Sequence, residues 1–329
     1  MVLRVLITGI TGFAGSHLAE HLVTAGAEVH GLAFEEPPFP NLAAIAREVR
    51  VHKGDITSLD QVRAALAAAA PAVVVHLAGQ AVPTLAARDP VGAVRVNVLG
   101  TSAVLTALDE RPGVRFVLAS SGDVYGTPER TPVNEDAPIR PTNPYAATKV
   151  AAEALAREVG DRRDRAVVIL RPTNQIGARQ HPGLAASAFA KQVAEAEAGI
   201  VPPVIHHGLL DARRDFLDAR DMADAYARAA RIDDPGTHVF NVGTGHAVAI
   251  GEILDALIAL ARIPLRAELD ESRVRSGVAP DFSLDATRFR ERTGWAPRTP
   301  LEASLRDLLD YWRREVNERR AAMPRGVSP

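Results

Sequence analysis

Val2-Leu-Arg-Val-Leu-Ile-Thr-Gly9-Ile-Thr-Gly12-Phe-Ala-Gly15 opens the chain and decides its fold. From Val2 to Thr8 every residue but Arg4 is apolar or β-branched. That is the pattern of a buried strand, which would leave no room for a leader peptide. Three glycines follow at three-residue spacing, and then an apolar helical pattern over residues 13–25. A strand, a tight glycine turn and a helix start are the parts of a phosphate cradle. Glycine lets the backbone approach a pyrophosphate, and the helix N-terminus offers free N–H groups and a partial positive charge. The spacing is Gly-x-x-Gly-x-x-Gly rather than the commoner Gly-x-Gly-x-x-Gly. Such a triplet can also do no more than pack a helix on a sheet. The flanking strand and helix favour the cradle.

Composition narrows the class. The chain has 329 residues, 47% of them hydrophobic, enough for one large domain or one and a half ordinary ones. Its formal net charge is -2 and no run of Lys or Arg stands out, which argues against a nucleic-acid or membrane-surface footprint. No continuous apolar run approaches the roughly 18 residues of a membrane span. Cysteine is absent, so disulfides and thiolate metal sites are excluded. A cytoplasmic protein is the expectation.

Strands and helices then alternate. Strands are expected at Glu28–Ala33, Val49–Lys53 and residues 72–77, 114–119 and 166–170. Helices are expected at residues 13–25, 58–69 and 91–110, and from Tyr145 onward after a Pro-rich loop over 127–144. The continuous apolar strand 72–77 suits a parallel sheet covered on both faces. It runs into Ala78-Gly79-Gln80, small residues over which a cofactor can lie. At the end of the second strand stand Ala33, Phe34, Glu35 and Glu36, with neither an Asp for a ribose nor an Arg for a 2′-phosphate. Glu35 or Glu36 could take the ribose role, and acids there would repel a phosphate. NAD(H) is therefore favoured over NADP(H), with both open. Asp55 either meets the adenine amine or caps the helix after it.

The alternation breaks near Arg171. Beyond it the pattern is mixed: helices at 185–198, 221–231, 250–261 and 301–319, strands at Arg213–Asp218 and 238–242, and an expected disordered tail at 321–329. The division is residues 1–171 for dinucleotide binding, with later strands returning to that sheet, and 172–320 mainly for substrate. His206 and His207 are expected in a loop beside the substrate. His17-Leu-Ala-Glu-His21 matches an inverted zinc-protease pattern, but a metal there would compete with the cradle, and no metal is expected.

Tyr145-Ala-Ala-Thr-Lys149 puts a phenol and an ammonium four residues apart, on one helix face. A free tyrosine has a pKa of about 10. An ammonium beside it favours the phenolate and brings proton exchange toward neutral pH. The pair follows Ser120-Ser121-Gly122-Asp123-Val-Tyr125-Gly126 by one loop. Arg214 and Arg275 are candidates for a diphosphate, because guanidinium makes charge-assisted pairs with such groups, although for either taken alone a surface salt bridge is the commoner reading.

Together these motifs resemble the extended short-chain dehydrogenase/reductases, the NAD-dependent epimerase/dehydratase family, over nearly the whole chain. The resemblance rests on Thr8-Gly-Ile-Thr-Gly-Phe-Ala-Gly15, Asp55-Ile56, His76-Leu-Ala-Gly-Gln80, Asn97, Ser121, Tyr145 with Lys149, and Arg171-Pro-Thr-Asn174. It implies an α/β fold: a Rossmann-type doubly wound parallel sheet with a smaller mixed α/β C-terminal substrate-binding part. Within the family the likeness is to enzymes of sugar nucleotides, particularly reductases of GDP-4-keto-6-deoxy-mannose. Further matches carry it: Asn143-Pro-Tyr145, Phe189-Ala-Lys-Gln192, Arg214-Asp-Phe-Leu-Asp218 and Thr293-Gly-Trp295. Departures include Thr173, Gln175 and Ala178, where Phe, His and Pro are usual.

The resemblance implies that Tyr145 exchanges the proton, Lys149 tunes it and holds the nicotinamide ribose, and Ser121 orients the reacting oxygen. It implies cofactor contacts at Gly9, Thr11, Gly12, Phe13, Ala14, Gly15, Asp55, Ile56, Leu77, Ala78, Gly79, Asn97, Pro172, Asn174 and Ile176. For substrate it implies Gln80, Ser121, Gly122, Asp123, Tyr145, Asn174, Lys191, Arg214 and Arg275. It also implies at least a homodimer, paired through the helices at 91–110 and 145–159 as a four-helix bundle. The expected reaction is NAD(P)H-dependent reduction of the C4 ketone of a GDP-4-keto-6-deoxyhexose. A 4,6-dehydratase or 4-epimerase that recycles its cofactor is the rival enzyme. A dehydratase needs a base for the C5 proton, and Asp123 stands where similar dehydratases carry Glu. A catalytically silent cofactor-sensing protein is the rival from another class, disfavoured by the intact Ser121, Tyr145 and Lys149.

Overall fold

A computed structural model describes residues 2–162, 165–274 and 281–322. The first half runs β1 (Arg4–Thr8), α1 (Phe13–Thr24), β2 (Glu28–Ala33), β3 (Val49–Lys53), α2 (Leu59–Ala69) and β4 (Val73–His76). Then come α3 (Pro83–Arg88), α4 (Pro90–Val94), a π turn (Arg95–Leu99), α5 (Gly100–Asp109), β5 (Arg115–Ala119), α6 (Pro144–Asp161) and β6 (Ala166–Pro172). The second half holds β7 (Asn174–Ile176), α7 (Ala185–Glu197), β8 (Val204–His207), β9 (Arg213–Asp218), α8 (Ala219–Ala229), β10 (Gly236–Val242) and β11 (Ala247–Ala249). It ends with α9 (Ile250–Ala259), β12 (Arg266–Leu269), β13 (Asp281–Phe282), α10 (Thr287–Thr293) and α11 (Leu301–Ala322).

Seven strands form one sheet in the order β10-β6-β5-β4-β1-β2-β3, with every pair parallel. A parallel sheet needs cover on both faces, and the apolar residues supply it. Leu18, Leu22, Met222, Tyr226 and Phe289 cover one face from α1, α8 and α10. Val62, Leu66, Val104, Leu108 and Ala156 cover the other from α2, α5 and α6. The strand order reverses between β1 and β4, so the crevice that receives ligands in such sheets opens at their C-terminal ends. The remaining strands are short: β11-β9-β13 with β7 beside β9, and β8 with β12. A separate core of Phe189, Val193, Leu254, Leu257, Leu308 and Trp312 joins α7, α9 and α11.

Strands β2, β3 and β9 have the bounds expected from sequence, and β10 returns to the main sheet. The short strands β7, β8, β11, β12 and β13 and helices α3 and α10 carry too few residues to show a period. Two expectations are corrected. His206 and His207 sit in strand β8, where Gln192 Oε1 accepts from the His206 N–H at 2.9 Å, rather than in a loop. Residues Ala321 and Ala322 continue α11 instead of starting a disordered tail, because the run of helix-forming residues does not stop at 319.

The helical run Pro90–Asp109 has a mean hydropathy of 1.5 over a span's length, which a search for continuous apolar runs misses because Arg95, Asn97 and Thr101 interrupt it. It packs as a core helix: Ala103, Val104, Leu105 and Leu108 are buried, and α5 lies against α2 and α6. Its outer side leaves Val91, Val94 and Leu99 at 80%, 45% and 54% exposure.

Candidate active site

The glycine turn is shaped by how closely backbone meets backbone. Gly9 has φ +71°, and a Cβ there would lie 2.9 Å from the Cα of Ala78 at the end of β4. A Cβ on Gly15 would lie 2.1 Å from the Gly9 carbonyl oxygen. Helix α1 starts at Gly12 with no capping side chain and no acid in its first turn. Its first N–H groups and its dipole are therefore left for an anion, and these residues fit a dinucleotide pyrophosphate. Thr11, Phe13 and Ala14 belong to the same turn. The Thr11 hydroxyl donates to Glu35 at 2.9 Å, and Asn41 donates to the Thr11 carbonyl at 2.8 Å. A carboxylate is thus tied to the glycine loop beyond β2, while Glu36 is paired with Lys53. Asp55 accepts from the N–H and hydroxyl of Thr57, both at 2.8 Å, which makes a turn ahead of α2 rather than a cap on it.

Beneath the crevice runs a buried thread of hydrogen bonds. The Thr101 hydroxyl donates to the Asn97 carbonyl at 2.6 Å. It can then only accept from His76 Nε2, 3.0 Å away. His76 Nδ1 in turn accepts from Thr8, at 2.7 Å, and Thr8 accepts the Ala78 N–H at 3.2 Å. Burial pushes the His76 pKa down to about 3, helped by the Lys149 charge, so the ring is neutral. One imidazole therefore fixes the ends of β1 and β4 against the π turn.

Asn97, in the middle of that π turn, is buried. Its Oδ1 accepts the Gln80 N–H at 2.7 Å, and its amide donates to the Gln80 carbonyl and to Thr148 Oγ1. Gly79 lies against it, since a Cβ there would be 2.9 Å from Asn97 Oδ1. Ile56 packs on Gly100 below, and Leu77 and Ala78 pack on the two faces of the sheet.

Helix α6 presents the reactive side chains. Asn143 caps it, accepting the Ala146 N–H at 2.9 Å, and Pro144 takes the first position. Tyr145 and Lys149 are both buried, Tyr145 against Ala86 and Ala93. The Lys149 ammonium donates to the Ala119 carbonyl at 2.8 Å and lies 5.8 Å from the Tyr145 ring centre. Burial pushes its pKa down to about 8, with Glu153 opposing. Burial pushes the Tyr145 phenol up, Asp123 adds to this, and a hydrogen bond with Ser121 pulls the other way. Burial therefore works against the phenolate that the neighbouring ammonium of Lys149 was expected to favour. Ser121 accepts the Asp123 N–H at 3.1 Å. Burial raises the Asp123 carboxyl as well, while Arg214 lowers it.

Gly122 is hemmed in by Phe282 and Leu284, which a Cβ would approach to 3.1 and 3.0 Å. Arg214 leaves β9 and is half-exposed, with Asp123 and Asp281 as its facing charges. Pro172 ends β6 in the core. Asn174 donates to the Asp215 carbonyl at 3.2 Å, which is a strand-end contact, and Ile176 is buried in the C-terminal core. Lys191 pairs with Glu195 at 3.4 Å and lies over the Trp312 ring. Arg275 lies outside the described residues. His17, Glu20 and His21 turn to different partners, respectively the Ala178 carbonyl, Arg179 and Asp224, so the motif does not converge.

Sequence reasoning missed two buried carboxylates. Asp215 accepts from Thr244 N and Oγ1, Gly245 N and Leu284 N, knitting β9 to the loops around it. Glu153 sits one turn beyond Lys149, and that spacing was the signal that could have found it.

The chain is similar to known proteins over nearly its whole length. The profile described as GDP-mannose 4,6 dehydratase matches residues 6–308. A GDP-6-deoxy-D-mannose reductase from Pseudomonas aeruginosa is 33% identical over 97% of this chain and 100% of its own length. A UDP-glucose 4-epimerase from Mycolicibacterium smegmatis is 32% identical over 94% of this chain and 99% of its own. The structure of RMD from Pseudomonas aeruginosa complexed with NADPH superposes with a TM-score of 0.82 at 31% identity, covering 95% of this chain and 100% of that one.

The buried His76 makes a testable statement about acid stability. Its folded pKa is depressed from 6.5 to about 3. The folded state therefore excludes a proton that the unfolded chain binds, so its stabilisation is complete above pH 6.5 and is lost as pH falls below it. At about 1.4 kcal/mol per unit, His76 alone should cost about 1.5–2 kcal/mol between pH 6.5 and 5. Urea unfolding of the wild type and of His76→Gln across this range checks it. The variant should lose stability less steeply, and equal slopes would show that His76 is not held neutral.

Proposed function

The chain belongs to the GDP-mannose 4,6 dehydratase family of extended short-chain dehydrogenase/reductases, and we propose that it reduces the C4 ketone of a GDP-4-keto-6-deoxyhexose with NAD(P)H. The observation that carries the direction is Asp123, which stands two residues after Ser121 where similar dehydratases carry the longer Glu. Burial raises the Tyr145 phenol, and it raises the Asp123 carboxyl while Arg214 lowers it. A reduction needs a proton donor at the carbonyl oxygen. A dehydratase needs a base that reaches the C5 proton, and Asp123 is one methylene shorter than the Glu of similar dehydratases.

In this reading the ketone oxygen lies between the hydroxyls of Ser121 and Tyr145. Negative charge develops on that oxygen as the carbonyl is reduced, and two donors already aimed at it stabilise the charge without reorganising. Tyr145 then transfers its proton. Lys149 holds the nicotinamide ribose and offsets the charge left on the phenol. The dinucleotide, when bound, supplies the hydride. The N–H groups of the Gly9–Gly15 turn would hold its pyrophosphate, and Gly79 and Asn97 would line the nicotinamide ribose. Glu35 accepts from a ribose hydroxyl and repels a 2′-phosphate, which favours NADH. Arg214 and Arg275 take the substrate diphosphate, with Gln80, Gly122 and Asn174 around the sugar. These reactants are cytoplasmic pools, and the cytoplasm is the compartment this reading carries.

Val91, Val94 and Leu99 form an exposed apolar strip on the run Pro90–Asp109, and Ala147 and Ala154 are exposed on the neighbouring α6. A second copy packed there would bury both helices, so the active form is at least a dimer.

Tyr145→Phe should leave dinucleotide affinity near wild type and lower turnover by about 10²–10⁴, the usual effect of losing an acid–base group. Retention of wild-type turnover on the GDP-4-keto sugar would remove Tyr145 from the chemistry. Light scattering at micromolar concentration should give at least twice the chain mass, and a monomer mass would refute the dimer.

A further inference from the structure

Behind the reactive groups lies a buried ion pair that neither hydride nor proton transfer uses. Glu153 and Arg171 are both nearly inaccessible, with side chains 5% and 2% exposed. The guanidinium grips the carboxylate at both ends, Nε to Oε1 at 2.8 Å and Nη2 to Oε2 at 2.6 Å. Oε1 also accepts from the Ser120 hydroxyl at 2.5 Å. The other arm of Arg171 donates to the Tyr125 hydroxyl at 2.8 Å, and that hydroxyl donates to Asn241 at 2.7 Å. The buried carboxylate thus has a bidentate partner and a further donor, the condition under which such a pair is tolerated.

Its position is what matters. Tyr145, Lys149 and Glu153 are spaced by four and form one stripe along α6. The end of β5 runs against that stripe. Lys149 holds the Ala119 carbonyl and Glu153 holds the Ser120 hydroxyl, while the Ser120 N–H is held by the Leu170 carbonyl at 2.8 Å. The next residue is Ser121. The 3₁₀ turn Gly122–Tyr125 that follows it is anchored from its far end by Arg171 through Tyr125. Ser121 itself meets α6 at Tyr145, and the turn after it packs on Val150 of the same helix.

We propose that Glu153 is a positioning residue of the reaction: through the Ser120 hydroxyl and the Arg171 guanidinium it sets the height of Ser121 against Tyr145. This rests on the reading of Ser121 and Tyr145 as the groups at the carbonyl oxygen. A shift of an ångström at Ser121 would misplace one of the two donors while leaving the dinucleotide bed untouched. Glu153 also opposes the desolvation of Lys149, which among the described residues faces Tyr145 and the neutral His76, and Glu153 itself lies 3.7 Å from the half-exposed Arg157 guanidinium on the same helix.

Two variants test this. Ser120→Ala cuts the link to β5 and leaves the ion pair whole. It should lower kcat about tenfold with KM and dinucleotide Kd within about twofold, and Ser120→Thr, which keeps the hydroxyl, should restore most of the loss. A lowered melting temperature with wild-type kcat would mean that the clamp is merely structural and would overturn the proposal. Glu153→Gln is read in the ligand-free protein. The chain has only three lysines, Lys53, Lys149 and Lys191, so a ¹³C-labelled lysine titration resolves Lys149 by NMR. Its midpoint, about 8 in the wild type, should fall by about one unit or more, and an unchanged midpoint would separate Glu153 from the site. If Glu153→Gln does not fold, the Ser120 pair decides. The lysine titration needs no substrate, so an error in the assigned reaction leaves it standing and is told apart from an error about Glu153.

Discussion

Everything at the site depends on backbone meeting backbone with no side chain between. At Gly9 a Cβ would strike Ala78, at Gly15 the Gly9 carbonyl, and at Gly79 the Asn97 amide. These three contacts bring the ends of β1 and β4 and the start of α1 within van der Waals reach of one another. What is left is a shallow bed of peptide groups with free N–H donors at one end and a buried ammonium at the other. A larger residue at any of the three would force apart elements that the hydrogen-bond thread through His76 holds together. The second half of the chain is fitted to the same rule. Phe282 and Leu284 fill the space that a side chain at residue 122 would need, so the serine turn is closed by residues far from it in sequence.

The electrostatics follow from that tight burial. Tyr145, Lys149, Asp123 and His76 share one dry region, and desolvation is the leading cause of the shift at each of them. The sheet end therefore holds a protonated phenol, a carboxyl driven toward neutrality and an ammonium that loses its charge near pH 8. The short Asp123 side chain at this end, in place of a longer Glu, is the physical ground for reading the direction as reduction.

The main sheet was legible from sequence because its strands are short buried runs broken by glycine, aspartate or proline, and their spacing leaves room for one helix each. The glycine turn and the Tyr145–Lys149 pair were legible because local spacing alone places them. Tyr145's environment was not, since a four-residue spacing shows the ammonium but not the burial that raises the phenol. Glu35's tie to Thr11 and Glu153's grip on Ser120 join residues 24 and 33 positions apart, and nothing local announces either. The short strands around β9 were missed for a related reason: Asp215 organises them through four long-range donors, and no residue period marks that.

Reductases and epimerases both appear among proteins about one-third identical to this chain, so identity alone does not choose between them. The site does make opposite predictions for the two chemistries. A reductase consumes one reduced dinucleotide per product and leaves the C5–H bond alone, whereas a dehydratase or epimerase returns its cofactor unchanged. The deciding measurement supplies, in parallel, a GDP-4-keto-6-deoxyhexose and a GDP-hexose, each with NADH or NADPH and with NAD or NADP, in heavy water. It follows cofactor absorbance against product and deuterium in the sugar. The account predicts oxidation of the cofactor in proportion to product, with no enzyme-dependent deuterium at C5. Turnover of a GDP-hexose with no net use of cofactor and deuterium delivered to the sugar would contradict it, and would make Asp123 the base of a dehydratase.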